Sequence, residues 1–145
     1  MSQRNVLFLC TGNSARSQMA EAFLRKYASD RFNVYSAGLD PKGINPLTET
    51  VMEEVGIDLS GHRSEPIKNY MGQMPFRYVI TMCSNADERC PTPLWHLGEK
   101  LHWPFDDPAA VEGTLEEKLA QFRRVRDEID AKIKAWVAEL TPEEA

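Results

Sequence analysis

Apolar positions along the chain alternate between short continuous runs and stretches of helical spacing. Asn5 to Leu9 is a short, nearly continuous apolar run, as expected of a strand buried on both faces. Ser17 to Tyr27 follows with Met19, Ala20, Phe23 and Leu24 able to share one helical face. Asn33 to Ala37 predicts a second strand, closed by Gly38. Asn45 can cap a helix that begins at Pro46, carries Val51, Met52 and Val55, and stops at Gly56. Tyr78 to Met82 is a third strand rich in β-branched residues, and Leu101 to Trp103 a shorter fourth. Thr114 with Glu117 forms a capping box ahead of a long amphipathic helix. Its stripe runs through Leu115, Leu119, Phe122, Ile129, Ile133, Trp136 and Leu140, and the last residues, TPEEA, read as a frayed tail.

Strands alternating with helices predict a parallel sheet covered on both faces, a doubly wound α/β fold with four strands. No repeat or linker interrupts the pattern, so residues 1–145 read as a single domain. In such sheets ligands collect beyond the C-terminal strand ends, near the point where strand order reverses. Cys10 and Cys83 both fall there.

Charge narrows the function classes. The net charge is −5, with acids and bases interspersed, so neither nucleic acid nor an anionic membrane is an expected partner. No apolar run approaches the ~20 residues that cross a bilayer, and the N-terminus lacks a signal peptide's long apolar region. The expected location is the cytoplasm, with a monomer as the default state. There are three cysteines, an odd number, and a reducing compartment does not favour permanent disulfides.

The segment CTGNSAR places Cys10 five residues before Arg16, between a strand end and a helix start. Gly12 permits unusual backbone angles and Asn13 tolerates left-handed ones. Successive N–H groups from Thr11, Gly12, Asn13, Ser14 and Ala15 can form an anion nest, joined by the free donors of the helix that Ser17 opens. Arg16 adds a guanidinium that grips two oxyanion oxygens, and this positive setting should lower the pKa of Cys10.

The stretch CTGNSARSQMAE resembles the active-site signature of the low-molecular-weight phosphotyrosine phosphatase fold. It resembles more closely the arsenate reductases that share that fold and are coupled to thioredoxin. The likeness extends through NVYSAG, a mid-chain cysteine pair, HWPFDDPA and FRRVRDEI. Family members often carry a second cysteine before the loop arginine; here Ala15 stands there. The resemblance implies arsenate as substrate, with phosphate or sulfate as analogues, and thioredoxin as reductant and partner. It implies no tightly bound cofactor.

Thiolate attack on arsenate or a phosphate ester expels an oxygen, which a positioned acid should protonate. FDDPA offers Asp106 and Asp107. The resemblance implies the aspartate before proline, Asp107, leaving Asp106 to support the loop. Related tyrosine phosphatases place an aromatic after DP to flank a phenol ring; Ala109 removes that wall.

CSNADERC spans Cys83 to Cys90. In a helix seven steps separate α-carbons by ~10.5 Å, and in a strand by ~23 Å. A disulfide needs roughly 4.4–6.8 Å, so these two bridge only if the segment bends into a loop. The resemblance implies a relay in which Cys10 attacks arsenate and Asp107 assists loss of hydroxide. Cys83 then attacks Cys10 and arsenite departs; Cys90 closes a Cys83–Cys90 disulfide that thioredoxin reduces. Cys10, Cys83, Cys90, Arg16, Asp107 and Ser17 are the catalytic candidates.

Some family members bind potassium beside the loop, and Asn13, Glu21, Ser36 and Glu65 are weak candidates for such a site. Arg63 stands where that pattern has a threonine, and its guanidinium is expected to replace the cation. His62, His96 and His102 lack metal-ligand spacing and are expected in surface or loop roles. Trp95 and Trp103 are expected to pack, and Arg123, Arg124 and Arg126 to form a solvated helix face. Two rivals remain. A low-molecular-weight phosphatase for small phosphate esters would use Cys10, Arg16 and Asp107 alone, and a phosphocarrier would not need Asp107.

Overall fold

The computed structural model describes residues 4–70, 74–89 and 98–140. Along the chain run β1 (Arg4–Cys10), α1 (Arg16–Ala28), β2 (Phe32–Gly38), α2 (Pro46–Glu53), β3 (Tyr78–Thr81), α3 (Ser84–Arg89), β4 (Glu99–His102) and α4 (Leu115–Glu139). The four strands form one parallel sheet in the order β2-β1-β3-β4. The chain therefore steps from β1 to one side and then to the other. The reversal lies between the C-terminal ends of β1 and β3.

The unbroken apolar run of β1 is explained by its central place. Val6 and Phe8 face one layer with Met19, Phe23, Ile80, Phe122 and Ile129, while Leu7 and Leu9 face another with Phe76, Val79 and Ala86. The two layers are unequal. The first is thick, roofed by α1, α2 and α4; the second is thin, covered by α3 and a 3-10 turn at Ile67–Asn69. Trp103 packs in the thick layer, 5.3 Å from the Trp136 ring, as expected.

The predicted helix starts rest on their caps. Asn45 accepts from Leu47 N–H ahead of Pro46, and both halves of the Thr114/Glu117 capping box are present. The fourth strand begins at Glu99 rather than Leu101. Among the described residues it pairs only with β3, and the Glu99 side chain at this edge is exposed, so polar residues there hide the strand from an apolar count. The basic cluster on α4 is a solvated face only in part: Arg124 is exposed and Arg123 partly so, but Arg126 is not. Arg126 is buried and donates to the Val51 carbonyl at 2.9 Å and to Glu54 at 2.9 Å, while Arg123 forks onto Glu54. These cations sit at the C-terminal end of α2, where its free carbonyls favour positive charge.

Among the described residues, no helix is long and apolar enough to cross a membrane. Cys90, Trp95, His96 and the TPEEA tail lie outside the described residues.

Candidate active site

The loop from Cys10 to Ala15 is shaped from behind. Its carbonyls are taken one after another by the segment that follows β2. Leu39 N–H donates to Cys10 O at 3.1 Å, Asp40 N–H to Thr11 O at 2.8 Å and Lys42 N–H to Gly12 O at 3.0 Å. Gln18 Nε2 donates to Asn13 O at 3.1 Å, and Asn45 N–H and the Thr48 hydroxyl both donate to Ser14 O. In a trans peptide the N–H points opposite the preceding carbonyl. With the carbonyls held outward, the N–H groups turn toward the Cys10 sulfur, and Thr11 N–H already bonds to it. The result is an anion nest continued by the first turn of α1.

Its sharp curl is made at Asn13, with φ of 49°. The expectation for Asn13 holds, whereas Gly12 does not adopt a left-handed φ. A Cβ on Gly12 would make only ordinary contacts, with Ser14 Oγ at 3.4 Å and Lys42 Cδ at 3.6 Å, so no clash demands glycine there. Gly38 differs, since a Cβ on it would lie 2.7 Å from Thr11 O. Asn13 is locked by three contacts. Its Nδ2 donates to Ser17 Oγ at 2.7 Å, its Oδ1 accepts from Glu65 N–H at 2.9 Å, and its carbonyl takes the Gln18 bond. Ser17 is fully buried behind the loop, so its observed part is to hold Asn13.

The cleft above the nest has a volume of about 630 Å³. Loop residues Cys10 to Arg16 line it, with Cys83, Asp107 and Ala109 on other walls and Lys42 to Pro46 completing it. Arg16 spans the floor. Its Nη1 donates to the Phe105 carbonyl at 3.0 Å, and its Nη2 stands 3.8 Å from Asp107 Oδ2. Asp107 is 46% exposed and its Oδ1 accepts from Ala109 N–H at 3.0 Å, capping the 3-10 turn Pro108–Ala110. Asp106 points elsewhere, to Arg124 at 2.9 Å, and so supports the loop from α4.

Cys83 follows β3 and meets Cys10 across the strand ends, Sγ to Sγ at 3.7 Å. Thr11 Oγ1 stands 3.4 Å from the Cys83 sulfur. The Cys10 hydrogen bond, the Thr11 hydroxyl, the Ala86 N–H and the Arg16 charge together outweigh burial and lower the Cys83 pKa to about 5. Cys10 moves the other way. Its hydrogen bond to Cys83 and its burial raise its pKa, against the pull of Arg16 and Thr11 N–H. The expected lowering at Cys10 is thus overturned, because two sulfurs in contact share one proton and the second is held. The pair ionises once, easily.

The segment after Cys83 is helical over Ser84–Arg89. Ala86 is its fully buried anchor, and Arg89 makes an exposed ion pair with Asp40 at 3.5 Å.

The potassium candidates meet in pairs, Asn13 Oδ1 accepting from Glu65 N–H at 2.9 Å and Glu21 from Ser36, and their carboxylates are also engaged elsewhere. Glu65 bonds to Asn69, while Glu21 pairs with Arg25 at 2.8 Å. Arg63 is exposed; its carbonyl, not its guanidinium, joins the network by accepting from Gln18. The cation beside Glu21 is therefore Arg25, which one helical turn places there. Among the described residues, no three His, Cys, Asp or Glu side chains gather as a metal site. His62 is 13% exposed, with Nδ1 3.3 Å from Gln18 Oε1, so it braces the loop rather than facing solvent.

Gln18 and the segment Leu39–Thr48 are the functional residues that motif reading missed. Gln18 carried a faint signal, as a polar residue beside Met19 on the buried face of α1. The segment carried none, because backbone groups do its work.

Known proteins match this arrangement. The sequence pattern of the low molecular weight phosphotyrosine protein phosphatases matches residues 5–145. An arsenate reductase of Halalkalibacterium halodurans is 49% identical over 137 residues, 94% of this chain and 96% of its own. A solved arsenate reductase in the phosphate binding state is 31% identical with a TM-score of 0.78, over 96% of this chain and 100% of that one. A thioredoxin-dependent arsenate reductase of Corynebacterium glutamicum is 28% identical with a TM-score of 0.70, over 94% of this chain and 61% of that one.

Proposed function

The chain belongs to the low molecular weight phosphotyrosine protein phosphatase family, and within it we propose that this protein, acting as a single domain, reduces arsenate to arsenite with thioredoxin as electron donor. The observation that carries this reading is the Cys10–Cys83 contact of 3.7 Å at the floor of the anion cleft. A phosphatase needs the nest, Arg16 and an acid, but it has no use for a second thiol touching its nucleophile. The wall also fits a small inorganic anion, since Ala109 lines the cleft where an aromatic would flank a phenol.

The nest and Arg16 hold arsenate with its arsenic over Cys10 Sγ. The proton shared by the two thiols passes to Cys83, leaving Cys10 as the thiolate nucleophile. Cys10 forms the S–As bond while an As–O bond breaks, and Asp107 protonates the leaving oxygen. Cys83, which is only partly buried, then gives its proton to solvent, helped by Thr11, Ala86 N–H and Arg16. Its thiolate attacks Cys10 Sγ, an S–S bond forms, and the S–As bonding pair moves to arsenic, which falls from the +5 to the +3 state as arsenite.

Cys90 next attacks Cys83 Sγ and frees Cys10 as thiolate, leaving the Cys83–Cys90 disulfide. Two electrons from thioredoxin's dithiol restore both thiols. A helix that carried both thiols would hold them about 10.5 Å apart, too far for a disulfide, so the relay calls for α3 to unwind. It is six residues long and rests on Ala86, on the thin side of the sheet, so little packing opposes that change. Its last residue, Arg89, gives up only an exposed ion pair with Asp40.

Arsenate turnover with thioredoxin and its reductase tests the reading, comparing wild type with each Cys→Ser variant. Loss of turnover in all three variants is expected. Turnover that survives in both Cys83→Ser and Cys90→Ser, or phenyl phosphate hydrolysis far outrunning arsenate reduction, overturns it.

A further inference from the structure

The cleft contains a cation that none of these steps employs. Lys42 lines it together with Arg16. Its place is set by the backbone: the Lys42 N–H is fixed on Gly12 O at 3.0 Å, and its stem passes beside Gly12, with Cδ 3.6 Å from where a Cβ on that glycine would stand. It is exposed, and among the described residues it has no ion-pair partner. The acids nearby are engaged, Asp40 by Arg89 at 3.5 Å and Asp107 by Arg16 at 3.8 Å. Lys42 also lines a second, more open groove with Pro41, Pro66, Ile67 and Lys68. It therefore stands on the wall common to the outer groove and the cleft.

A chain of net charge −5 repels the oxyanion it must bind. Arg16 does not offset this at the cleft mouth, because it is 12% exposed and its charge faces Asp107 at 3.8 Å. A free ammonium at the rim does, since charges at a cleft mouth raise the local concentration of an opposite ion.

Resting on the reductase reading above, we infer that Lys42 is the anion-capturing residue of this site: it draws the tetrahedral oxyanion in from the groove and holds an outer oxygen while Arg16 and the nest hold the rest. A lysine offers a compact charge without arginine's planar fork. Lys42 therefore strengthens binding of arsenate, phosphate and sulfate alike, without choosing between them.

The test compares reduced wild type with Lys42→Met, which keeps the stem, and Lys42→Arg, which keeps the charge. Lys132→Met, on α4 and away from the cleft, matches the change in net charge. Titration calorimetry with inorganic phosphate should show affinity about five- to tenfold weaker in Lys42→Met, with a flatter salt dependence. Lys42→Arg and Lys132→Met should keep affinity within about twofold. With arsenate, Lys42→Met should raise KM by a similar factor and change kcat far less. Phosphate affinity and salt slope equal to wild type in Lys42→Met overturn the inference, as does an equal loss in Lys132→Met. Wild type that binds phosphate but reduces no arsenate strikes the reductase reading alone, and the calorimetry still decides Lys42. Wild type that binds no phosphate overturns both.

Discussion

The sulfur of Cys83 lies 3.7 Å from the sulfur of Cys10, across the ends of two neighbouring parallel strands. In the proposed relay that contact sets the order of thiol chemistry, because Cys83 reaches Cys10 without any movement of the fold, whereas Cys90 is to enter once α3 lets go. The two later thiols should therefore fail at different points. Cys83→Ser should release no arsenite at all. Cys90→Ser should release about one equivalent per enzyme, then stall with Cys10 and Cys83 joined. Quench-flow arsenite measurement and mass spectrometry of the stalled protein distinguish the two. Equal single turnovers from both variants would remove Cys83 from its place in the order.

The shared proton gives a pH signature. The Cys83 pKa lies at about 5, below its ordinary 9.0, chiefly through the Cys10 hydrogen bond. Thiolate absorbance of the reduced protein should thus rise once near pH 5, and that step should move up toward the ordinary thiol range in Cys10→Ala. The sign for stability follows. A lowered folded-state pKa contributes stability that is full above 9.0 and is lost as pH falls toward 5. Cys10, shifted upward, contributes below 9.0 and loses its contribution at higher pH. The pair should therefore favour folding most near pH 9, and urea midpoints of wild type against Cys10→Ala across pH check this. A difference that is flat with pH would contradict the shared proton.

Asp107 and Asp106 are neighbours with opposite assignments. Asp107 faces the cleft beside Arg16, whereas Asp106 is turned to Arg124. If Asp107 protonates the leaving oxygen, Asp107→Asn should lower kcat by about a hundredfold or more. Asp106→Asn removes an exposed ion pair and should cost less than about 1 kcal/mol of stability, with only a small fall in rate. Rapid-mixing measurement of the first turnover separates chemistry from thiol regeneration. Equal losses in the two variants would refute the assignment.

How much of this was legible in the sequence depended on what kind of group does the work. Cys10 and Arg16 stood out by their spacing, Asp107 and Cys83 through the family resemblance, and the structure brings all four to one cleft. Leu39, Asp40 and Asn45 did not stand out, since they act through N–H groups that every residue but proline possesses. The direction of the Cys10 shift failed for a related reason. Arg16 is its neighbour in sequence, but Cys83, far along the chain, is its neighbour in space. The strand order could not be read from apolar runs, although β1's lack of polar residues between Val6 and Leu9 agreed with a central strand.

Arg25 beside Glu21 bears on ion dependence. Its guanidinium meets Glu21 at 2.8 Å and donates to the Val34 carbonyl at 2.7 Å, so a positive charge is already built in behind the nest. Arsenate turnover should therefore be the same, within about twofold, in potassium and in sodium salts of equal ionic strength. Arg25→Met should weaken phosphate binding, because the Glu21 charge is then left without that partner near the loop. A sharp rise in turnover on adding potassium to wild type would show that Arg25 does not serve as the cation.

Gly38 tests whether the anion loop depends on being pressed against its neighbour. A Cβ at this position would stand 2.7 Å from Thr11 O and 3.0 Å from Asn13 N, both backbone atoms that cannot swing aside. Gly38→Ala should push the loop outward, with an overpacking cost of about 1–3 kcal/mol. Gly61→Ala is the matched control, because a Cβ there meets nothing within 4 Å, and its effect should stay within about 0.5 kcal/mol. Denaturant midpoints give the stability change, and phosphate titration gives the change at the site. Since the carbonyls of Thr11 and Asn13 set the direction of the N–H groups that follow them, Gly38→Ala should lose phosphate affinity by more than its stability loss alone explains. A destabilised Gly38→Ala protein that, below its unfolding midpoint, binds phosphate as wild type does would show that the nest forms without that close approach.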